Sequence, residues 1–250
     1  MKRLFTLWLL ALSLHGFDLD PAQTLRLAEK IWHNEGGKDP SRLTHWNQNE
    51  TFASMGMGHF IWYPETTTHR PYRESFPKLL AFFEKNGIRL PDGITPASPC
   101  PWPDREAFYR EYDSPRMQAL RSLLKSTFSE QARFMLLRLQ NALETLLTHL
   151  PQSRRPLIRK RYEALASTPE GLYALMDYIN FKGEGTAPGE RYQGQGWGLL
   201  QVLQSMPENS LQSFVKAADF VLTRRVLLAP KEESQWLPGW RNRLKRYLSP

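Results

Sequence analysis

The chain has 250 residues, with 33 Lys and Arg against 25 Asp and Glu, a formal charge of +8 and a sequence pI near 9.6. Its 41% hydrophobic content and mean hydropathy of −0.52 exclude a disordered chain, a collagen-like chain and a polytopic membrane protein. One cysteine, Cys100, excludes an intramolecular disulfide framework and a zinc site built on several thiolates.

Lys2 and Arg3 precede an apolar run from Leu4 to Leu14. That order is the charged region and apolar region of an export signal, and the run is short for a membrane span. Residues 1–16 are therefore expected to be a signal peptide, with Ala11-Leu-Ser13 as the nearest small-x-small site. The expected location is periplasmic or secreted, with anchoring by an uncleaved N-terminal segment as the alternative. A buried N-terminal helix is the structural alternative.

The remainder, 17–250, reads as a single α-rich domain. Asp20 and Pro21 are a cap and a first helical residue, and Leu25, Leu27, Ala28, Ile31 and Trp32 form an apolar stripe ending at Glu35-Gly36-Gly37. Residues 38–75 are polar and broken by prolines, with short extended pieces around 51–63. A helix is expected at 76–86, and five prolines make 88–103 a loop. Further helices are expected at about 104–112, 115–126, 129–149, 153–166, 169–179, 196–206, 210–227 and 237–247. The glycine-rich stretch 180–195 resembles no core element.

The basic stretches Arg154–Arg161 and Arg241–Arg246 fall at helical spacing and read as solvated helix faces. No nucleic-acid motif accompanies them, so no nucleic-acid partner is expected. Cell-wall polymer or an anionic membrane surface suits a basic exported chain better, and peripheral membrane association is kept open. No cofactor is implied. His33, His45, His59 and His69 cluster in sequence, but none shows the i, i+4 pairing of a helical zinc site, and no metal is expected. A monomer is the expected state.

Two segments combine polar groups with glycines in a way that a core does not need. The first runs from Ile31-Trp-His-Asn-Glu35-Gly-Gly through Thr44-His-Trp46-Asn47-Gln-Asn-Glu50 to Ser54-Met-Gly56-Met-Gly58-His59. The second is Asp177-Tyr-Ile-Asn180-Phe-Lys-Gly-Glu184-Gly, continuing to Gly196-Trp197-Gly-Leu-Leu-Gln201. Glu35 follows apolar Ile31 and Trp32 by one turn. A carboxyl held against apolar surface keeps its proton to higher pH and suits a general acid. A solvated carboxylate at a helix end is the plainer reading. The pair Gly56-x-Gly58 suggests a hairpin with backbone open to a ligand, while a lone His59 is more often structural.

A helix ending in Glu-Gly, followed by Ser54-Met-Gly-Met-Gly-His59, resembles the phage-type lysozymes. The resemblance implies a lysozyme-like α+β domain with a small β-hairpin and additional helices. It makes Glu35 the general acid, puts Ser54 near the attacking water and makes His59 a structural histidine. The family's second carboxylate would fall near Gln48, which is not acidic; Glu50 and Asp39 are the nearest acids. The second segment, Gly198-Leu-Leu-Gln201-Val, resembles the Gly-Leu-Met-Gln-Val motif of lytic transglycosylases and goose-type lysozymes. Gln201 follows Glu184 at nearly the spacing that separates the catalytic glutamate from the glutamine in those proteins. Glu184 is therefore a rival acid or a second acid of the same cleft.

On this resemblance the chain is an exported enzyme cleaving a β-1,4-linked amino-sugar polymer, with peptidoglycan as substrate and partner. Either water or the sugar's own 6-hydroxyl completes the reaction. Trp46, Trp62, Tyr63 and Trp197 are candidates to stack on sugar rings. Asn47, Asn180 and Gln201 are candidates to hydrogen-bond N-acetyl or hydroxyl groups. A non-catalytic glycan-binding envelope protein and a chitosanase- or chitinase-like hydrolase are the alternatives.

Overall fold

The apolar stripes of the sequence become ten α-helices among the residues described in this computed structural model, 21–37 and 39–249. The side chains of residues 21 and 34–36 lie outside the described set, as do residues 1–16, read above as an export signal, and Asp20. No helix among the described residues is long and apolar enough to cross a membrane.

The helices are α1 (Pro21–Gly36), α2 (Phe76–Lys85), α3 (Arg105–Arg110), α4 (Pro115–Ser126), α5 (Phe128–Thr148), α6 (Arg155–Ala166), α7 (Pro169–Lys182), α8 (Leu199–Ser205), α9 (Leu211–Leu228) and α10 (Leu237–Arg246). Local chemistry sets their starts. Ser114 and Thr168 each accept a hydrogen bond from the backbone N–H three residues on, at Met117 and Gly171. Pro115 and Pro169 then open their helices, where the missing N–H costs nothing. Asp104 and Ser210 cap α3 and α9 in the same way.

Helix α7 is the centre of the fold. Every residue from Gly171 to Ile179 is buried, as expected for a helix that is apolar on all sides. It packs against α5, α6, α8 and α9, while α1 lies along α5. The one charge in its buried stretch is Asp177, which has no exposed surface. Its carboxylate accepts from Arg243 Nε (2.7 Å) and Nη2 (2.8 Å) and from the Tyr247 hydroxyl, which fastens α10 and the segment after it to α7. Helix α7 also runs past the expected 179 to Lys182 before Gly183 ends it.

The extended pieces expected around 51–63 form a three-stranded antiparallel sheet in the order β1 (Thr44–His45), β2 (Ala53–Met55), β3 (Phe60–Trp62). Ser54 stands opposite His45 on one side and Ile61 on the other. A second hairpin lies inside the stretch 180–195 and just beyond it, pairing β4 (Arg191–Tyr192) with β5 (Gln195–Gly196). Its two linking residues, Gln193 and Gly194, both have positive φ (48° and 76°), the backbone of a type I′ turn.

The core corrects one expectation. Trp46 is 2% exposed, and Trp62 and Tyr63 are fully buried, so none offers a face to a sugar. Trp62 packs edge-on to Trp102 with ring centroids 6.3 Å apart, and Trp46 meets Phe108 at 5.8 Å. The alternation of β3 explains Trp62: Phe60 and Trp62 point into the core and Ile61 points out.

Candidate functional site

A cleft of about 530 Å³ lies between the first sheet, the end of α7 and the last two helices. Both polar, glycine-punctuated segments of the sequence reach it. Asn47, Glu50, Ser54, Gly58 and His59 come from the first, and Asn180, Gly183, Glu184 and Trp197 from the second. The two are joined directly: Asn180 Nδ2 donates to the Gly58 carbonyl at 2.9 Å.

The turn that carries Gly58 is seated on α5. Gln131 is fully buried, and its Oε1 accepts from Met57 N at 2.9 Å while its Nε2 donates to Leu124 O at 2.7 Å. A Cβ at Gly56 would lie 2.4 Å from Gln131 Oε1, and one at Gly58 would lie 3.2 Å from Met135 Sδ. Gly56 therefore serves close approach to Gln131 of α5, and Gly58, hemmed in by Phe60 and Met135, lines the cleft.

Glu184 follows the end of α7, and its backbone is gripped by the start of α8. Leu199 N and Leu200 N donate to the carbonyls of Gly183 and Glu184, each at 3.0 Å. Gln201 closes the turn: its Oε1 accepts from Gly198 N and its Nε2 donates to Gly185 O, both at 3.1 Å. Gln201 thus holds the loop that presents Glu184 and does not line the cleft, which corrects its expected role as a sugar contact. The Glu184 carboxylate is about one-fifth exposed, with Arg73 Nη1 at 3.8 Å and the Thr186 hydroxyl at 3.4 Å.

Two other carboxyls line the cleft. Glu190 turns under the same loop and accepts from Ala187 N at 3.1 Å; burial raises its pKa against the backbone hydrogen bonds it receives. Glu50 has its pKa raised by burial, and the Asn47 amide, donating at 2.9 Å, partly offsets this. Behind Asn47 the contacts continue inward. His45 Nε2 lies 2.9 Å from Asn47 Oδ1, and His45 Nδ1 lies 3.0 Å from the Tyr109 hydroxyl. Asn47 Oδ1 only accepts, so Nε2 of His45 carries the proton.

Aromatic faces missed by the sequence reading edge the cleft. Tyr72 is 53% exposed and Trp236 49%, and both belong to its lining. Trp240 stacks under Lys182 Nζ, 3.5 Å from the ring centre, and Arg225 lies 4.2 Å over Trp197. Tyr72 and Trp236 each stand in polar, proline-containing surroundings, which is the signal that marks them. Arg73 and Arg138 were also missed. Arg138 shares a helical stripe of α5 with buried Gln131, Met135 and Ala142, and a cation on a core stripe is the signal there.

Of the site residues expected from sequence, the cleft gathers Glu50, Ser54, Asn47, His59, Asn180, Glu184 and Trp197, and leaves out Trp46, Trp62, Tyr63 and Gln201. The Glu35 side chain lies outside the described residues. Cys100 is buried, and burial pushes its thiol up to about 12, which makes it a poor nucleophile. A broad depression over Gln48, Arg105 and Tyr109 holds one carboxylate, Glu106, with Arg110 at 3.5 Å. No protein-family model, no curated protein and no solved structure matches the chain.

Proposed function

We propose that the protein is a glycan-cleaving enzyme of lysozyme-like architecture, acting on a β-1,4-linked amino-sugar polymer, with peptidoglycan as the substrate. One observation carries the reading. Two glycine-punctuated segments more than a hundred residues apart form a single cleft that holds Glu50 and Glu184, tied by Asn180 to the Gly58 carbonyl. Paired carboxyls in different surroundings suit glycosidic cleavage, where one group gives a proton and another faces a cationic transition state.

The order helix, Glu184, two-residue-turn hairpin, then a helix opening Leu199-Leu-Gln201 supports the lytic-transglycosylase side of the resemblance. The Gly56-x-Gly58-His59 turn supports the phage-lysozyme side. Glu50 has the environment of a proton donor, because burial favours its neutral form. Glu184 faces the guanidinium groups of Arg73 and Arg138 and supplies negative charge opposite an oxocarbenium-like sugar. Glu35 retains its assignment as general acid by resemblance alone. Tyr72 and Trp236 provide the stacking surfaces. An export signal at residues 1–16 is part of the same proposal, since it brings the enzyme to the cell wall.

The test is release of muropeptides from purified sacculi by wild type, Glu35→Gln, Glu50→Gln and Glu184→Gln. The acid is the glutamate whose change abolishes release while leaving the fold intact. No release by wild type between pH 4 and pH 8 overturns the proposal; sacculus binding that survives all three changes with no product points to a glycan-binding protein instead.

A further inference from the structure

His45 and Tyr109 do not line the cleft, and the proposed reaction leaves them unused. Tyr109 belongs to α3, and its ring is held in place. Tyr112 stacks on it with ring centroids 5.7 Å apart and 24° between the planes, and the Arg105 guanidinium lies 4.6 Å from its ring centre. The hydroxyl is fixed as well. It accepts from Trp46 N at 3.2 Å, and it has two acceptors within reach, His45 Nδ1 at 3.0 Å and Trp46 O at 3.2 Å.

Two acceptors for one proton let His45 keep a proton on Nε2 in either charge state. Neutral His45 takes the Tyr109 proton at Nδ1. Charged His45 donates from Nδ1 to the hydroxyl, whose own proton then turns to the Trp46 carbonyl. In both states Nε2 donates to Asn47 Oδ1 at 2.9 Å. Asn47 is exposed, and the accepting and donating ends of its amide have nearly the same shape, so its orientation is decided by what each end meets. The donor at His45 takes Oδ1 and leaves Nδ2 facing Glu50 Oε2, also at 2.9 Å. The turned amide would set donor against donor at His45 and oxygen against oxygen at Glu50. The backbone closes the same turn, with Trp46 Nε1 donating to Glu50 O at 2.8 Å and Glu50 N to Asn47 O at 3.3 Å.

We propose that His45 is a positioning residue for Glu50: keyed by the Tyr109 hydroxyl, its Nε2–H turns the Asn47 amide so that a donor faces the Glu50 carboxyl. This deepens the glycan-cleaving reading and rests on it for the role of Glu50 as acid. When the carboxyl gives up its proton it becomes an anion, and a donor already in place spares the reorganisation that water would need. Arg73, Arg138, Lys182 and Arg225, the carboxyls of Glu184 and Glu190, and His59 share the cleft with Glu50. Burial and the Asn47 amide are the influences that set its titration. Behind His45, Arg105 and Arg121 reach Trp46 O and Thr44 Oγ1.

The test follows the Glu50 carboxyl by carbon-13 titration and does not depend on turnover. It uses wild type, His45→Phe, His45→Gln, His45→Asn, Asn47→Ala and the double variant His45→Phe with Asn47→Ala, with thermal unfolding to confirm that each is folded. His45→Phe is expected to move the Glu50 midpoint to higher pH. His45→Gln can bring an amide N–H to the Nε2 position and is expected to hold the midpoint near that of wild type. His45→Asn reaches only the Nδ1 position and is expected to behave as His45→Phe does. In the double variant the His45 change should add nothing to the shift caused by Asn47→Ala. A histidine that merely packs would not distinguish Gln from Asn, and a charge acting through space would persist without Asn47. An unmoved midpoint in His45→Phe, equal midpoints in the Gln and Asn variants, or additive shifts in the double variant overturn the proposal. If His45→Phe does not fold, the Gln and Asn variants decide it. Muropeptide release from the same samples separates the two readings. The expected midpoints with no release by wild type support the positioning of Glu50 and overturn the glycan reading. Release that Glu50→Gln abolishes, with midpoints indifferent to His45, keeps the glycan reading and overturns the role of His45.

Discussion

Asn180 and Gly58 stand 122 positions apart in sequence and share a hydrogen bond of 2.9 Å at the floor of the cleft. It ties the helix that leads to Glu184 to the turn seated on α5. Asn180→Ala removes the donor and leaves the Gly58 carbonyl short of a partner. A stability loss of about 1 kcal/mol is expected, the usual net value of such a bond. Muropeptide release should fall further than this loss explains, because the two walls lose their common reference. Denaturant midpoints and sacculus assays on the same samples separate the two effects. An unchanged midpoint and rate would show that packing alone sets the relation of the walls.

The loop carrying Glu184 makes a sharper prediction. Gly185 has φ of +80°, and a Cβ there would sit 1.9 Å from Gln201 Oε1. Gly185→Ala therefore combines a left-handed backbone with a clash against the amide that holds the loop. A loss of about 2–3 kcal/mol is expected. Gly194 has a similar φ of +76° but nothing within 4 Å of its Cβ position. Gly194→Ala should cost only the backbone strain, on the order of 1 kcal/mol. Equal losses at the two positions would mean that the Gln201 clamp contributes nothing.

The helices were legible because each signal is local. The helices expected at 115–126 and 129–149 are Pro115–Ser126 and Phe128–Thr148 in the structure. Helix α7 extends past its expected end because Asn180-Phe-Lys182 is polar enough to read as loop, while Gly183, the actual stop, is the weaker signal. The convergence of the two glycine-rich segments was not legible, because it depends on α5 and α7 lying side by side. The aromatics misled for a related reason. Trp46, Trp62 and Tyr63 adjoin the glycines in sequence, but all three are buried in the core, Trp62 by the alternation of β3. The exposed rings, Tyr72 and Trp236, come from segments with no motif at all.

Glu50 yields a pH prediction with a definite sign. Burial raises its pKa above 4.5, and the Asn47 amide lowers it in part. A carboxyl with a raised folded-state pKa adds stability that is full below its unfolded value and is lost as pH rises through the folded one. Asn47→Ala removes the lowering contact, so the Glu50 titration should move to still higher pH. If Glu50 gives the proton, the alkaline limb of the activity profile moves the same way. Carbon-13 titration of the Glu50 carboxyl in both proteins checks the first point without an assay. A midpoint that stays put or falls in Asn47→Ala contradicts the assigned contact.

The latch between α7 and α10 has energetic weight out of proportion to its size. Asp177 is fully buried, takes two hydrogen bonds from Arg243, and takes a third from the Tyr247 hydroxyl. Arg243 also lies 4.2 Å over the Phe181 ring, and α10 carries Trp240 into the cleft. Asp177→Asn keeps the shape but removes the charge that compensates a mostly buried guanidinium. The expected cost is on the order of 3 kcal/mol, read from urea unfolding, with cleft activity declining as α10 loosens. The double change Asp177→Asn with Arg243→Met should recover part of that loss, because a buried pair removed together leaves no orphaned charge. If the double variant is as unstable as the sum of the two single variants, the carboxylate and the guanidinium are not coupled, and apolar packing alone holds α10 to α7.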